Sequence, residues 1–192
     1  TSKDNETIKK LKKLKEKKYR DQENCYIIEG VKLIREAIQE NAKIKLIIIC
    51  DDCKQENDLE SEIKYEIAKY ECISVNEKIF LSLTNVVNPQ GILAVIEREK
   101  QDEKIDYNED LYLILDDIQD PGNMGTILRT ADSLNMKQII VSKDCADAYN
   151  PKVVRSTMGA IFRMNIIESD NLVKTIKEMK KHKIKIMATS LE

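Results

Sequence analysis

The sequence has no run of about 18 consecutive apolar residues, which excludes a membrane-spanning helix. Its first twenty residues are polar and basic and hold no apolar core of the kind that opens a secreted protein. An intracellular, cytoplasmic protein is therefore expected. Tryptophan is absent and histidine occurs once, as His182. The five cysteines, Cys25, Cys50, Cys53, Cys72 and Cys145, are an odd number without the spacing of a disulfide framework. Cys50 and Cys53 form a C-x-x-C, yet no second pair follows at zinc-ligand spacing and His182 lies far away in sequence. Buried or idle thiols and no metal are expected.

An excess of charge of one sign is missing too: 32 Lys and Arg stand against 34 Asp and Glu, a formal net charge of −2. That near-balance hides an asymmetry. Between Lys3 and Arg20 there are nine bases, Lys3, Lys9, Lys10, Lys12, Lys13, Lys15, Lys17, Lys18 and Arg20, against Asp4, Glu6 and Glu16. A basic stretch of this kind is either a handle for nucleic-acid phosphates or a plain solvated face, and charge alone favours the plain face.

The 192 residues suit one mid-sized domain or two of roughly 90 to 100 residues. Ile8, Leu11 and Leu14 recur at helical spacing among the lysines, predicting an amphipathic helix. Short β-like runs at Cys25–Ile28, Leu46–Cys50, Cys72–Val75 and Ile92–Ile96 alternate with helical patterns at Val31–Ile38, Glu60–Lys69 and Glu77–Leu83. The polar stretch Glu97–Asp110 reads as a boundary, giving a first domain over 1–98, a linker over 99–110 and a second domain over 111–192. Alternation then resumes. Strands are predicted at Leu111–Leu115, Gln138–Val141, Phe162–Ile167 and Ile184–Ala188, and helices at Met124–Leu134, Pro151–Met158 and Asn171–Lys181. This rhythm predicts an α/β fold with a parallel sheet and crossover helices.

The stretch from Leu115 to Asp132 carries the chemistry. A buried strand ends, a Pro121-Gly122 turn follows, and a residue able to cap a helix comes next. Sites in parallel α/β sheets lie at the carboxyl ends of strands, so this loop stands where a ligand is expected. Met124, Ile127, Leu128, Ala131 and Leu134 make the apolar helix face; Thr126, Arg129, Thr130 and Ser133 lie opposite. Geometry alone leaves Arg129 a surface arginine and Asn123 a cap. Neither a dinucleotide fingerprint nor a P-loop is present.

The string Asn123-x-Gly125-x-Ile127-x-Arg129-Thr130-Ala131, behind Asp120-Pro121-Gly122, resembles the first signature of the SpoU family of knotted SPOUT methyltransferases. Asn150-Pro151-Lys152-Val153-Val154-Arg155-Ser156-Thr157-Met158-Gly159-Ala160-Ile161-Phe162-Arg163 is similar to the family's intermediate segment. Tyr26-Ile27-Ile28-Glu29-Gly30 and Pro89-Gln90-Gly91-Ile92-Leu93-Ala94-Val95 look like its ribosomal-protein-like substrate-binding domain. Three stretches match in order over nearly the whole chain. The second signature with Glu-Gly and the third with a Ser-Leu-Asn core, which should follow Ile184–Ala188, do not appear before Glu192. The expectation is thus a chain cut before the knot, inactive by itself, with Leu191-Glu192 a cloning scar.

The resemblance implies transfer of a methyl from S-adenosylmethionine to a ribose 2′-hydroxyl of ribosomal or transfer RNA, by a protein that generally forms homodimers. It puts Arg129 beside the hydroxyl, Asn123 as its orienter or a substrate ligand, and Thr189 where the adenosine pocket begins. For the first half it implies RNA binding, with Lys9, Lys10, Lys13 and Arg20 as candidate phosphate contacts. The rival readings are a non-enzymatic RNA-binding module with a degenerate partner half and an unrelated nucleotide-binding α/β protein.

Overall fold

The protein is described here from a computed structural model covering residues 2–51, 63–98 and 104–189. The first half runs α1 (Ser2–Lys13), α2 (Lys17–Glu23), β1 (Cys25–Glu29), α3 (Val31–Gln39), β2 (Ile44–Cys50), a helical stretch at 63–67, β3 (Cys72–Val75), α4 (Glu77–Leu83) and β4 (Ile92–Glu97). Its four strands are ordered β1-β4-β2-β3, antiparallel except for the β2–β3 pair. Successive strand residues point to opposite faces, and here both faces are covered. Tyr26, Ile28, Ala94 and Ile96 enter one apolar cluster with α3; Cys25, Ile27, Leu93 and Val95 enter another, capped by Ile8, Leu11, Leu14, Phe80 and Leu83. The helical stripe of the first segment therefore packs as read, each fully buried aliphatic side chain contributing about 1.5–3 kcal/mol. The predicted single helix is two, with 3-residue turns closing through the Leu14, Lys15 and Glu16 amides between them. The predicted helix at Glu60–Lys69 lies partly outside the described residues.

The second half runs β5 (Tyr112–Leu115), α5 (Pro121–Ser133), β6 (Gln138–Ser142), α6 (Pro151–Thr157), a 3-10 turn (Ala160–Phe162), β7 (Asn165–Ser169) and α7 (Leu172–Lys181). The strands form the expected parallel sheet, ordered β5-β6-β7, with β6 buried along its whole length. Three boundaries differ from expectation. The helix carrying Arg129 starts at Pro121 rather than Met124, because Asp120 caps it by accepting the Asn123 N–H at 2.7 Å. The run Phe162–Ile167 begins as the 3-10 turn, and only its later part is strand. Ile184–Ala188 is not a strand: a strand exists by pairing, and here the Ile184 amide closes back on Met179 while Met187 stands 84% exposed. The outer edge of β5 has no strand partner among the described residues.

Of the predicted linker, residues 99–103 fall outside the description. The halves are not independent beads, since one apolar cluster runs from Tyr26, Ile28 and Val31 to Leu115, Met124, Val153 and Ile161. Tyr26 packs on Tyr149 with ring centroids 5.0 Å apart, and the Arg98 guanidinium stacks on the same Tyr149 ring at 4.2 Å. Arg163 reaches back to Glu36 and Glu40 of α3, each at 3.0 Å, while also holding Asp132 of α5 at 2.7 Å.

Cys25, Cys72 and Cys145 are free. Cys50 is disulfide-bonded, which corrects the expectation of an idle thiol there; its C-x-x-C companion Cys53 lies outside the described residues. No described helix is long and apolar enough to cross a membrane.

Candidate functional site

The loop from Asp116 to Asp120 links the carboxyl end of β5 to α5, and its shape is imposed from the neighbouring loop after β6. Asp117 takes a left-handed backbone (φ +56°), which aspartate tolerates better than most residues. The Ser142 hydroxyl accepts the Asp117 N–H at 2.9 Å, the Cys145 thiol accepts from Ile118 N–H and donates to Leu115 O, and the Ala146 N–H donates to Ile118 O. Asp117, Ile118, Gln119 and Asp120 then wall a cleft of about 390 Å³ completed by Asn123, Thr126 and Ile127. Gly125 makes this packing possible: a Cβ there would stand 2.4 Å from the Ser156 Cβ and 2.7 Å from the Val153 carbonyl. Helices α5 and α6 can approach so closely only at a glycine.

Asn123 lies in the first turn of α5 and lines the cleft, its side chain exposed and free among the described residues. It is not the cap, and it does not hold Arg129. Six residues apart, the two side chains sit about a third of a turn from each other around the helix. Arg129 projects from the polar face as read, and its Nη1 rests 3.2 Å from the Met158 thioether, just past the end of α6. No carboxylate among the described residues pairs with it. Met158 is 60% exposed and left-handed (φ +50°). Nothing in the sequence marked it, because its relation to Arg129 exists only once α5 and α6 pack. Thr189 is exposed and lines neither this cleft nor the cleft of about 290 Å³ between the halves at Lys43, Arg98 and Tyr149.

In the first half Lys9, Lys10 and Lys13 are exposed, and Lys13 lies 5.0 Å over the Tyr19 ring. Arg20 is withdrawn from the candidate phosphate contacts. It is 2% exposed, its guanidinium bound to Asp147 at 2.6 Å and to the carbonyls of Leu14 and Lys15. A buried arginine already satisfied by a carboxylate and two carbonyls has no donor fork left to offer a phosphate.

A second group that sequence reasoning passed over is Glu29, at the end of β1. Burial pushes its carboxyl above the ordinary range, opposed by the Thr84 hydroxyl donating at 2.6 Å, by a backbone bond from Asn85, and by the pull of Arg155 and Lys15. Burial also lowers the Lys15 ammonium, which donates to Thr84 O at 2.9 Å. These bonds tie the end of β1 and the turn after α1 to the loop after α4, all within the first half. Among the described residues there is no cluster of three or more His, Cys, Asp or Glu side chains able to hold a metal.

The molecule is thus a two-part α/β protein. A mixed-sheet half carrying exposed lysines is docked on a parallel sheet whose first strand feeds a cleft, a capped helix and an unneutralised arginine. The comparisons with known proteins define the family. Residues 5–94 match the MRM3-like substrate binding domain and residues 110–192 the SpoU rRNA Methylase family. The chain is 33% identical, over 98% of its length and 71% of the relative's, to the 23S rRNA (guanosine(2553)-2′-O)-methyltransferase RlmP of Bacillus subtilis. It is 30% identical to the human mitochondrial rRNA methyltransferase 3, over 81% of the chain but 38% of that protein. Among solved structures, a TrmH-family protein of Porphyromonas gingivalis superposes with a TM-score of 0.77 at 30% identity, covering 92% of this chain and 67% of that one. An AdoMet-bound rRNA methyltransferase of Sinorhizobium meliloti gives 0.72 at 29%, covering 91% and 65%. The chain belongs to the SpoU methyltransferase family.

Proposed function

We propose that the full-length protein carrying this chain transfers a methyl group from S-adenosylmethionine to a ribose 2′-hydroxyl of ribosomal RNA. The observation that carries this reading is Arg129: a guanidinium exposed on the polar face of the signature helix α5, free of any carboxylate among the described residues. The family match and the names of the relatives, which specify rRNA and 2′-O-methylation, support the reaction and its substrate.

The described residues do not by themselves enclose the methyl donor. Thr189, the candidate contact for its adenosine, is exposed, and the segment 184–189 joins no sheet. What this chain's own residues supply is positioning and charge. A ribose hydroxyl is a poor nucleophile, and the displacement needs an in-line approach, so orientation dominates the barrier. A guanidinium is a cation with donors only and does not act as a base in ordinary sites. Arg129 holds the ribose or its phosphate and stabilises negative charge as it develops on the attacking oxygen. Asn123, free in the cleft wall six residues away, contacts substrate rather than Arg129.

Lys9, Lys10 and Lys13 supply phosphate contacts from the first half, and that half binds the RNA. The protein acts in the cytoplasm as a homodimer. The 192 residues alone bind no S-adenosylmethionine and transfer no methyl; micromolar affinity in a calorimetric titration of this polypeptide would contradict that. The test of the function is methyl transfer by the full-length protein to ribosomal RNA, with the product nucleoside identified by mass spectrometry. A 2′-O-methylnucleoside is expected; a base-methylated product, or none, would overturn the reading.

A further inference from the structure

Met158 is placed where methionine is hard to explain. It follows the last residue of α6 in the left-handed conformation, a position that glycine or asparagine fills at most helix ends because a Cβ there crowds the following carbonyl. Of the six non-glycine residues with positive φ in the described chain, four are the tolerant Asn24, Asn41, Asp117 and Asn135. Burial does not account for a methionine either, since the side chain is 60% exposed. Among the described residues the side chain's one polar contact is the Arg129 guanidinium, 3.2 Å from Sδ. Strain kept at an exposed residue points to a task rather than to stability.

We infer that Met158 is a positioning residue for the reaction proposed above: its thioether rests against the Arg129 guanidinium and fixes the rotamer in which that group meets the ribose. A soft, neutral sulfur suits this task. It orients the arginine without neutralising it, as a carboxylate at the same place would, and leaves the remaining guanidinium donors for the ribose.

The inference gives stability and activity opposite signs. Met158→Gly relieves the backbone strain, so the thermal midpoint of the 192-residue chain should rise by about 2–4 °C, the shift expected in a chain of this size. The Arg129 side-chain NMR resonance in the same chain should move toward that of a free arginine. In the full-length protein kcat should fall by about tenfold or more while KM for RNA changes by less than about twofold, since Arg129 acts in the transition state. Met158→Gln, which offers a carbonyl at similar reach, should restore much of kcat; Met158→Leu, which keeps the bulk without an acceptor, should not. An unmoved Arg129 resonance, or an unchanged kcat in Met158→Gly or Met158→Leu, would overturn the assignment. Should the unmutated full-length protein transfer no methyl, the functional reading fails, while the Arg129 resonance still decides whether the contact exists.

Discussion

Arg129 projects from the exposed face of α5, so changing it should alter chemistry and leave folding intact. Arg129→Ala in the full-length protein should abolish most methyl transfer with little change in melting temperature. Arg129→Lys should fail as well, because an ammonium lacks the planar fork that holds two oxygens at once; near-normal turnover by the lysine variant would remove the role given to Arg129. Gly125 behaves oppositely. Gly125→Ala forces its methyl into Ser156 and the Val153 carbonyl, and α5 and α6 must separate; a loss of about 1–3 kcal/mol on denaturant titration is expected. Glu29 makes a pH-dependent case. Its folded carboxyl is raised above the ordinary 4.5, so stability is lost as pH rises from that value through the folded one. Glu29→Gln keeps an oxygen for Thr84 and relieves that loss. Its melting temperature should exceed the unmutated chain's at pH 8 and converge with it near pH 4. Much of this residue-level detail was beyond sequence reading. Nine bases look alike between Lys3 and Arg20, and what singles out Arg20 is Asp147, 127 positions away. The cap at Asp120 was within reach: Pro121 occupies the first helical position, as Pro151 does behind Asn150.

The amphipathic helix α1 separates two jobs between its faces. Ile8, Leu11 and Leu14 seal the outer side of the first sheet, and Lys9, Lys10 and Lys13 face solvent. Reversing those three lysines to glutamate should therefore leave the fold standing and weaken RNA binding about equally for all sequences, because phosphate contacts position without reading bases. If all three touch phosphates, the log–log salt dependence should lose roughly 0.7 per contact on single strands; identical isotherms and slopes for the two proteins would make the helix a bystander. Elements with strong local signals agree with the structure: the helix predicted at Glu77–Leu83 forms, and the structure adds its Asn76 cap; the strand predicted at Gln138–Val141 forms, and the structure adds that it is buried along its length. The strand predicted at Ile184–Ala188 does not form. Its apolar run has strand composition, but a parallel strand depends on a neighbour that no local pattern specifies.

Across the whole molecule, the polar composition of Glu97–Asp110 predicts a linker and a domain boundary, and the packing adds that the two halves share one apolar cluster. The sequence gives no sign of this, because Tyr26, Val31 and Leu33 carry the same apolar character whether they face a helix of their own domain or Val153 and Ile161 of the other. The expected consequence is a single unfolding transition, with far-ultraviolet and near-ultraviolet signals coincident in urea; two separated transitions would mean that the halves fold independently. The Tyr149 ring, held between Tyr26 and Arg98 at the seam, makes that seam optically addressable. With no tryptophan in the chain, near-ultraviolet dichroism comes mainly from tyrosine, and a pair of rings 5.0 Å apart at a tilt of 50° should dominate it. Burial pushes the Tyr149 phenol up to about 12, so its ionisation band should develop late in an alkaline titration and bring the loss of that dichroism with it. The colour change of one phenol would then report, without any label, the pH at which the two halves part.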